Sequence, residues 1–138
     1  MSRRSARKNA FFLLFQMDFS EAAEFEQVKE LFFAEKEEPV AEEEKAFILS
    51  MVEGVHEHME EIDVALAGIA KGWDVERMNK VDLAILRLAV YEMKFGGVPV
   101  GVAINEAVEL AKKFSSDEAP AFINGVLGSW ARYPICKD

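Results

Sequence analysis

The sequence predicts an all-α protein of about seven helices, on three observations. Apolar residues recur at three- and four-residue intervals along almost the whole chain. No segment alternates apolar and polar residues for long enough to make a half-buried strand, and the gaps between periodic segments hold Pro, Gly or clusters of small polar residues.

The elements follow in order. A first helix from about Ser5 to Phe19 carries Ala6, Ala10, Leu13, Leu14 and Met17 on one face, with Arg7 and Lys8 beside that stripe. Phe25, Val28, Leu31 and Phe32 mark a second helix. After Pro39, Phe47, Met51, Val55 and Met59 mark a third, with the carboxylates of EKEEPVAEEEK placed favourably around its start. Ile62, Leu66 and Ile69 continue the pattern to a stop at Gly72, where Trp73-Asp74 supplies an anchor and a cap. The helix VDLAILRLAVYEMKF has a wide apolar face with Val81, Ile85, Leu86, Leu88, Ala89 and Met93, and Gly96-Gly97 ends it. Pro99 precedes AINEAVELAKKF, where Ile104, Val108 and Ala111 fall on one side; SSDEA is a loop. Pro120 opens a last helix in which Phe122, Val126 and Trp130 face one way until Pro134.

A chain of 138 residues can bury a sizeable core as one domain. The expectation is a single helical domain over 1–138, with an N-terminal lobe of about 1–60 and a C-terminal lobe of about 61–138. Eleven phenylalanines are too much apolar surface for a disordered chain. The single cysteine, Cys136, excludes an intrachain disulfide and fits a reducing compartment. No apolar run approaches the roughly 20 residues of a membrane span, and FFLLF is too short for a signal peptide. The expected location is cytoplasmic.

Charge is unevenly distributed. The whole chain has a net charge of −9, yet residues 1–17 hold four basic side chains and no acid, residues 18–63 hold three basic and 16 acidic, and the remainder is balanced. Enzyme chemistry finds little support here. Glu53 and His56 make one Glu-x-x-His step, but a di-iron bundle needs a second step and further glutamates. There is no phosphate-cradling glycine loop, no Gly-x-Ser-x-Gly and no cysteine set for zinc. The expectation is a protein that is not an enzyme and holds no metal or cofactor.

The basic N-terminus is more informative. Arg3, Arg4, Arg7 and Lys8 can present guanidinium forks and an ammonium to phosphates, with phenylalanines nearby for stacking. An acidic chain repels a long duplex except at such a tip, which favours a short single strand. Lys112, Lys113 and Phe114, running into Ser115 and Ser116, form a second basic and aromatic group suited to backbone contacts and base stacking.

Together these stretches resemble a known family. VDLAILRLAVYEMKF, VPVGVAINEAVELAKKF and FINGVLGSWAR are similar to the C-terminal half of the NusB family of bacterial transcription antitermination factors, and RRSAR with FFLLFQ resembles its arginine-rich N-terminus. The resemblance runs from Arg3 to about Arg132. It implies two packed helical lobes, no catalysis, and binding of the boxA element of nascent single-stranded RNA together with NusE, a small ribosomal subunit protein. That assembly helps the RNA polymerase antitermination complex pass terminators, notably in ribosomal RNA transcription. By the same resemblance Arg3, Arg4, Arg7 and Lys8 correspond to the RNA-contacting motif, and Phe15 stands where the family usually has tyrosine. Lys112, Lys113, Phe114, Ser115, Ser116, Asp117, Glu118 and Phe122 fall at further RNA contacts. Asp82, Arg87 and the exposed side of the AINEAVE helix at Asn105 and Glu106 are the implied NusE contacts, although Arg87 could instead pair with a neighbouring acid. Self-association into a homo-oligomer through an exposed helical face is compatible with all of this. The rival reading is a helical protein-interaction adaptor with no RNA role, its acidic surface being the working one.

Overall fold

A computed structural model of the chain describes residues 2–69 and 78–132. Among these residues the fold is seven α-helices, one 3₁₀ turn and no strand, as the apolar spacing predicts. The helices are α1 (Arg3–Met17), α2 (Phe25–Ala34), α3 (Glu42–Glu57), α4 (Met59–Ile69), α5 (Lys80–Lys94), α6 (Val100–Phe114) and α7 (Ala119–Arg132), with the 3₁₀ turn at Ala22–Glu24. The expected stop at Gly72, the Trp73-Asp74 cap, Pro134 and Cys136 lie outside the described residues. The chain divides into two compact units, Met1–Glu53 and Gly54–Asp138.

In the first unit α1 starts where Ser2 Oγ accepts a hydrogen bond from the Ser5 amide at 3.2 Å. Its predicted stripe, Ala6, Ala10, Leu13, Leu14 and Met17, is buried, and Phe11 joins it. A reciprocal capping box between Glu21 and Glu24 turns the chain into α2, which packs on α1. Phe32 is buried as predicted, but Leu31, about 100° round the helix from it, points to solvent. Lys36, just past the end of α2, donates to Asn9 Oδ1 at 2.8 Å and lies 4.4 Å over the Phe32 ring and 6.0 Å over Phe12. One side chain thus joins the end of α2 to the middle of α1 by a hydrogen bond and two cation–aromatic contacts. Lys29 bridges Glu26 and Glu53 at 3.3 and 3.4 Å and links α2 to α3.

The second unit is built on α5. Leu83, Ala84, Ile85, Leu86, Leu88, Ala89 and Val90 are all buried, so this helix is covered on most of its circumference. It packs against α4, α6 and α7, and α7 also packs on α6 and α4. Ile62 and Leu66 of α4, Ala103, Ala107 and Ala111 of α6, and Ile123, Val126, Leu127 and Trp130 of α7 complete the core. Phe122, predicted on that face, is only half-buried; Ile123 takes the core position and Phe122 moves to the rim.

The predicted third helix is interrupted at His58 without any Gly or Pro. Ladder bonds continue on both sides, from His58 N–H to Gly54 O at 3.1 Å and from Ile62 N–H to His58 O at 2.9 Å. The His58 ring stacks on Phe95 with centroids 3.7 Å apart and planes at 11°, fixing the start of α4 against the end of α5. Gly97, at φ +69°, takes the left-handed conformation that lets the chain leave α5 and turn towards α6.

Candidate nucleic-acid interface

The local electrostatics of α1 run against helix stability. The first turn holds Arg3 and Arg4 and no acid, although the N-terminus of a helix carries the positive end of its dipole. Cations there cost stability instead of adding it, and they reinforce a site that already attracts anions through unsatisfied amides. By contrast Lys112 and Lys113 occupy the last turn of α6, where cations are favoured by the dipole alone.

The four N-terminal cations are not equivalent. Arg3, Arg4 and Lys8 are exposed, and the Arg3 guanidinium lies 4.2 Å over the Phe47 ring. Arg7 is only 8% exposed and has partners inside the protein. Its place on the helix explains this, since it lies four residues before Phe11 and seven before Leu14, both buried. Phe15 is half-buried and meets Phe19 edge to face, with centroids 5.1 Å apart and planes at 78°.

In the second unit one residue predicted for NusE, Asp82, meets residues predicted for RNA. Lys112, Lys113 and Phe114 are exposed at the end of α6, with Lys112 held by Glu109 at 3.2 Å. Ser115 caps the helix, and its Oγ–H donates to Asp82 Oδ1 at 2.5 Å across 33 residues of sequence. That bond ties the α6–α7 loop to the first turn of α5. Asp117 and Glu118 are exposed in the loop. A cavity of about 300 Å³ opens beside the tie, lined by Met78, Asn79, Asp82, Ser116, Glu118, Ala119 and Phe122. Its size is at the small end of ligand sites. Its lining pairs one aromatic ring with two carboxylates and two neutral polar groups, so it repels phosphate and offers acceptors to amino groups. Asn79 caps α5 by accepting from the Val81 amide at 2.7 Å, which holds this corner in shape.

Two predicted partner residues need correction. Glu106 is not on the exposed side of α6; it is 9% exposed because it lies next to Ala107 and three residues after Ala103 on the buried stripe. Asn105 is the exposed one. Arg87 pairs with a neighbouring acid, the alternative already open in the sequence: its Nε and Nη2 donate to Asp63 Oδ1 and Oδ2 at 2.9 and 2.8 Å, a two-pronged bridge between α5 and α4. Asp82 is itself 9% exposed and engaged by Ser115. Sequence reasoning missed Phe19, Met78 and Asn79. Only Asn79 carried a local signal, a capping residue directly before an apolar-periodic run.

Among the described residues no group of three or more His, Cys, Asp or Glu side chains could hold a metal ion, and no helix is long and apolar enough to cross a membrane. The described residues are all-helical, with a cationic helix start in one unit and a small cavity beside a cationic helix end in the other. The NusB family model matches residues 4–132. A transcription antitermination protein NusB from Thermoanaerobacter sp. (strain X514) is 44% identical over 132 residues, covering 96% of this chain and 91% of that protein. The structure of NusB from T. maritima superposes with a TM-score of 0.86 at 30% identity, covering 96% of this chain and 92% of that one. A crystal structure of antitermination factors NusB and NusE in complex with dsRNA contains a chain that superposes with a TM-score of 0.77 at 27% identity, covering 95% and 97%. The chain belongs to the NusB family, whose members are transcription antitermination factors and non-catalytic adaptors.

Proposed function

We propose that this chain is a cytoplasmic RNA-binding adaptor of the RNA polymerase antitermination complex, holding a boxA-like single-stranded RNA together with NusE and so supporting ribosomal RNA transcription. The observation that carries the reading is the start of α1, where exposed Arg3, Arg4 and Lys8 stand at the positive end of a helix dipole in a chain of net charge −9. A cost to helix stability at that place is accounted for by an anionic ligand. In the solved complex of related factors, NusB and NusE are bound with dsRNA.

In this reading the exposed cations of α1 and Lys113 engage phosphates. Phe114 and Phe122 offer stacking surface, and the cavity beside Asp82 and Glu118 receives a base through its amino edge. Asn105 and the first turn of α5 are the candidate NusE contacts. Two modest affinities then combine, because RNA and NusE bound on one adaptor raise each other's effective concentration.

The test is a titration of labelled single-stranded RNA, boxA-like against scrambled, with and without NusE, and with the duplex form of the same RNA as competitor. Preference for the boxA-like strand, strengthened by NusE, is the expected outcome. Equal binding of scrambled RNA overturns the sequence preference, and equal competition by duplex overturns the single-strand preference. NusE binding with no measurable RNA contribution would leave the protein-only adaptor instead.

A further inference from the structure

Phe19 is 65% exposed, the most exposed of the large hydrophobic side chains among the described residues. It sits in the turn that closes α1, where the amides of Phe19 and Ser20 bond to Gln16 O and Met17 O at 3.2 and 3.0 Å. Asp18, the capping residue, keeps a right-handed helical conformation at φ −65° and ψ −16°, so the helical path carries on far enough to bring Phe19 against Phe15. At about 100° per residue Arg4, Lys8 and Phe15 fall within an arc of about 40° over about 16 Å of the axis, and the ring contact with Phe15 sets Phe19 at the end of that row. One solvent-facing strip of α1 therefore reads cation, cation, aromatic, aromatic.

The order follows the helix dipole. The N-terminal half favours phosphate, whereas the C-terminal end of α1 is the negative end of the dipole and carries Asp18, with Glu21 and Glu24 shortly after. Phosphate is disfavoured there, while an uncharged aromatic face is not. A single strand whose phosphates are held at Arg4 and Lys8 can lay its unstacked bases over the other end.

Resting on the RNA-binding reading above, we propose that Phe19, braced edge-on by Phe15, is a base-stacking residue that extends the RNA contact of α1 past the cationic tip. Phe12 does not take part, because Lys36 lies over it. Phe19 contributes affinity without neutralising charge, and that separates it from the arginines.

The experiment uses the full chain and the single-stranded boxA-like RNA. Phe19→Ala is expected to weaken binding at least about fivefold while leaving the salt slope unchanged. Phe19→Trp restores the affinity. Abasic substitution scanned along the RNA finds one position that weakens the wild type by a similar factor and adds nothing further in Phe19→Ala, the signature of a coupled pair. If the wild type binds with its usual salt slope and Phe19→Ala binds equally well, the stacking role falls while the RNA-binding reading stands. If the wild type does not bind RNA, both fall. If Phe19→Ala retains RNA and loses NusE, Phe19 belongs to a protein surface and the proposal is overturned.

Discussion

Arg7 and Lys8 are sequence neighbours of like charge, yet the fold assigns them opposite work. Arg7 is 8% exposed and engaged within the protein, while Lys8 faces solvent. Each phosphate neutralised on a single strand adds about −0.7 to the slope of log K against log salt. The three exposed cations of α1 then supply about −2, and Lys8→Ala removes about 0.7 of it. Arg7→Ala leaves the slope unchanged. It instead costs roughly 1–3 kcal/mol of stability, from the internal interaction of a buried polar group removed and a packed aliphatic stem lost. For a chain of this size that cost lowers Tm by several degrees. Fluorescence anisotropy with labelled RNA between about 0.1 and 0.3 M salt gives the slopes, and thermal melts of the free proteins give the stabilities. If Arg7→Ala flattened the slope as much as Lys8→Ala with no loss of Tm, the assignment of Arg7 to positioning would be wrong.

Two further outcomes follow from packing. A Cβ added at Gly54 would overlap Cε1 of Tyr91 and lie 2.5 and 2.6 Å from its Cζ and Oη, so Gly54→Ala is expected to destabilise by roughly 1–2 kcal/mol in denaturant titration, overpacking outweighing the gain in helix propensity. A Gly54→Ala protein as stable as the wild type would mean that the ring swings aside freely. The Asp63–Arg87 bridge joins side chains 29% and 13% exposed, between the surface and buried regimes; a double-mutant cycle with Asp63→Ala and Arg87→Ala should give a coupling of about 1–2 kcal/mol in stability and none in RNA affinity.

Most helix ends could be read from the sequence because those boundaries had their own chemistry: Pro39, Gly96-Gly97, Pro99 and the SSDEA loop all break a periodic run. The break at His58 left no such mark, since Val55, Met59 and Ile62 keep helical spacing across it and the stack on Phe95 is a contact 37 residues away. The cationic tip was visible as composition, but its division into three exposed cations and one buried one depends on angle around α1. Glu106 was misplaced for the same reason: one position separates it from exposed Asn105, and 100° of rotation carries it onto the buried stripe. The cavity lay furthest from view. Asp82, Ser115 and Phe122 come from three elements, and nothing local to any of them announces the Ser115–Asp82 bond that brings the loop to α5.

The acid concentrated between residues 18 and 63 bears on how the cationic strip works. Electrostatic reach is about 8 Å at physiological salt and about 30 Å at 0.01 M. Near physiological ionic strength a phosphate held at Arg4 or Lys8 is attracted by charges within a few ångströms and is screened from any of the 16 carboxylates of that zone that lie more than about 8 Å away. In dilute salt the same phosphate senses the net charge of −9, and repulsion offsets part of the gain from counterion release. RNA affinity should therefore rise as salt is lowered to about 0.1 M and then level off towards 0.01 M, instead of following one straight line. A line that stayed straight over that whole range would mean that the carboxylates are not felt at the strip, and the preference for a short strand over a long duplex would need another cause.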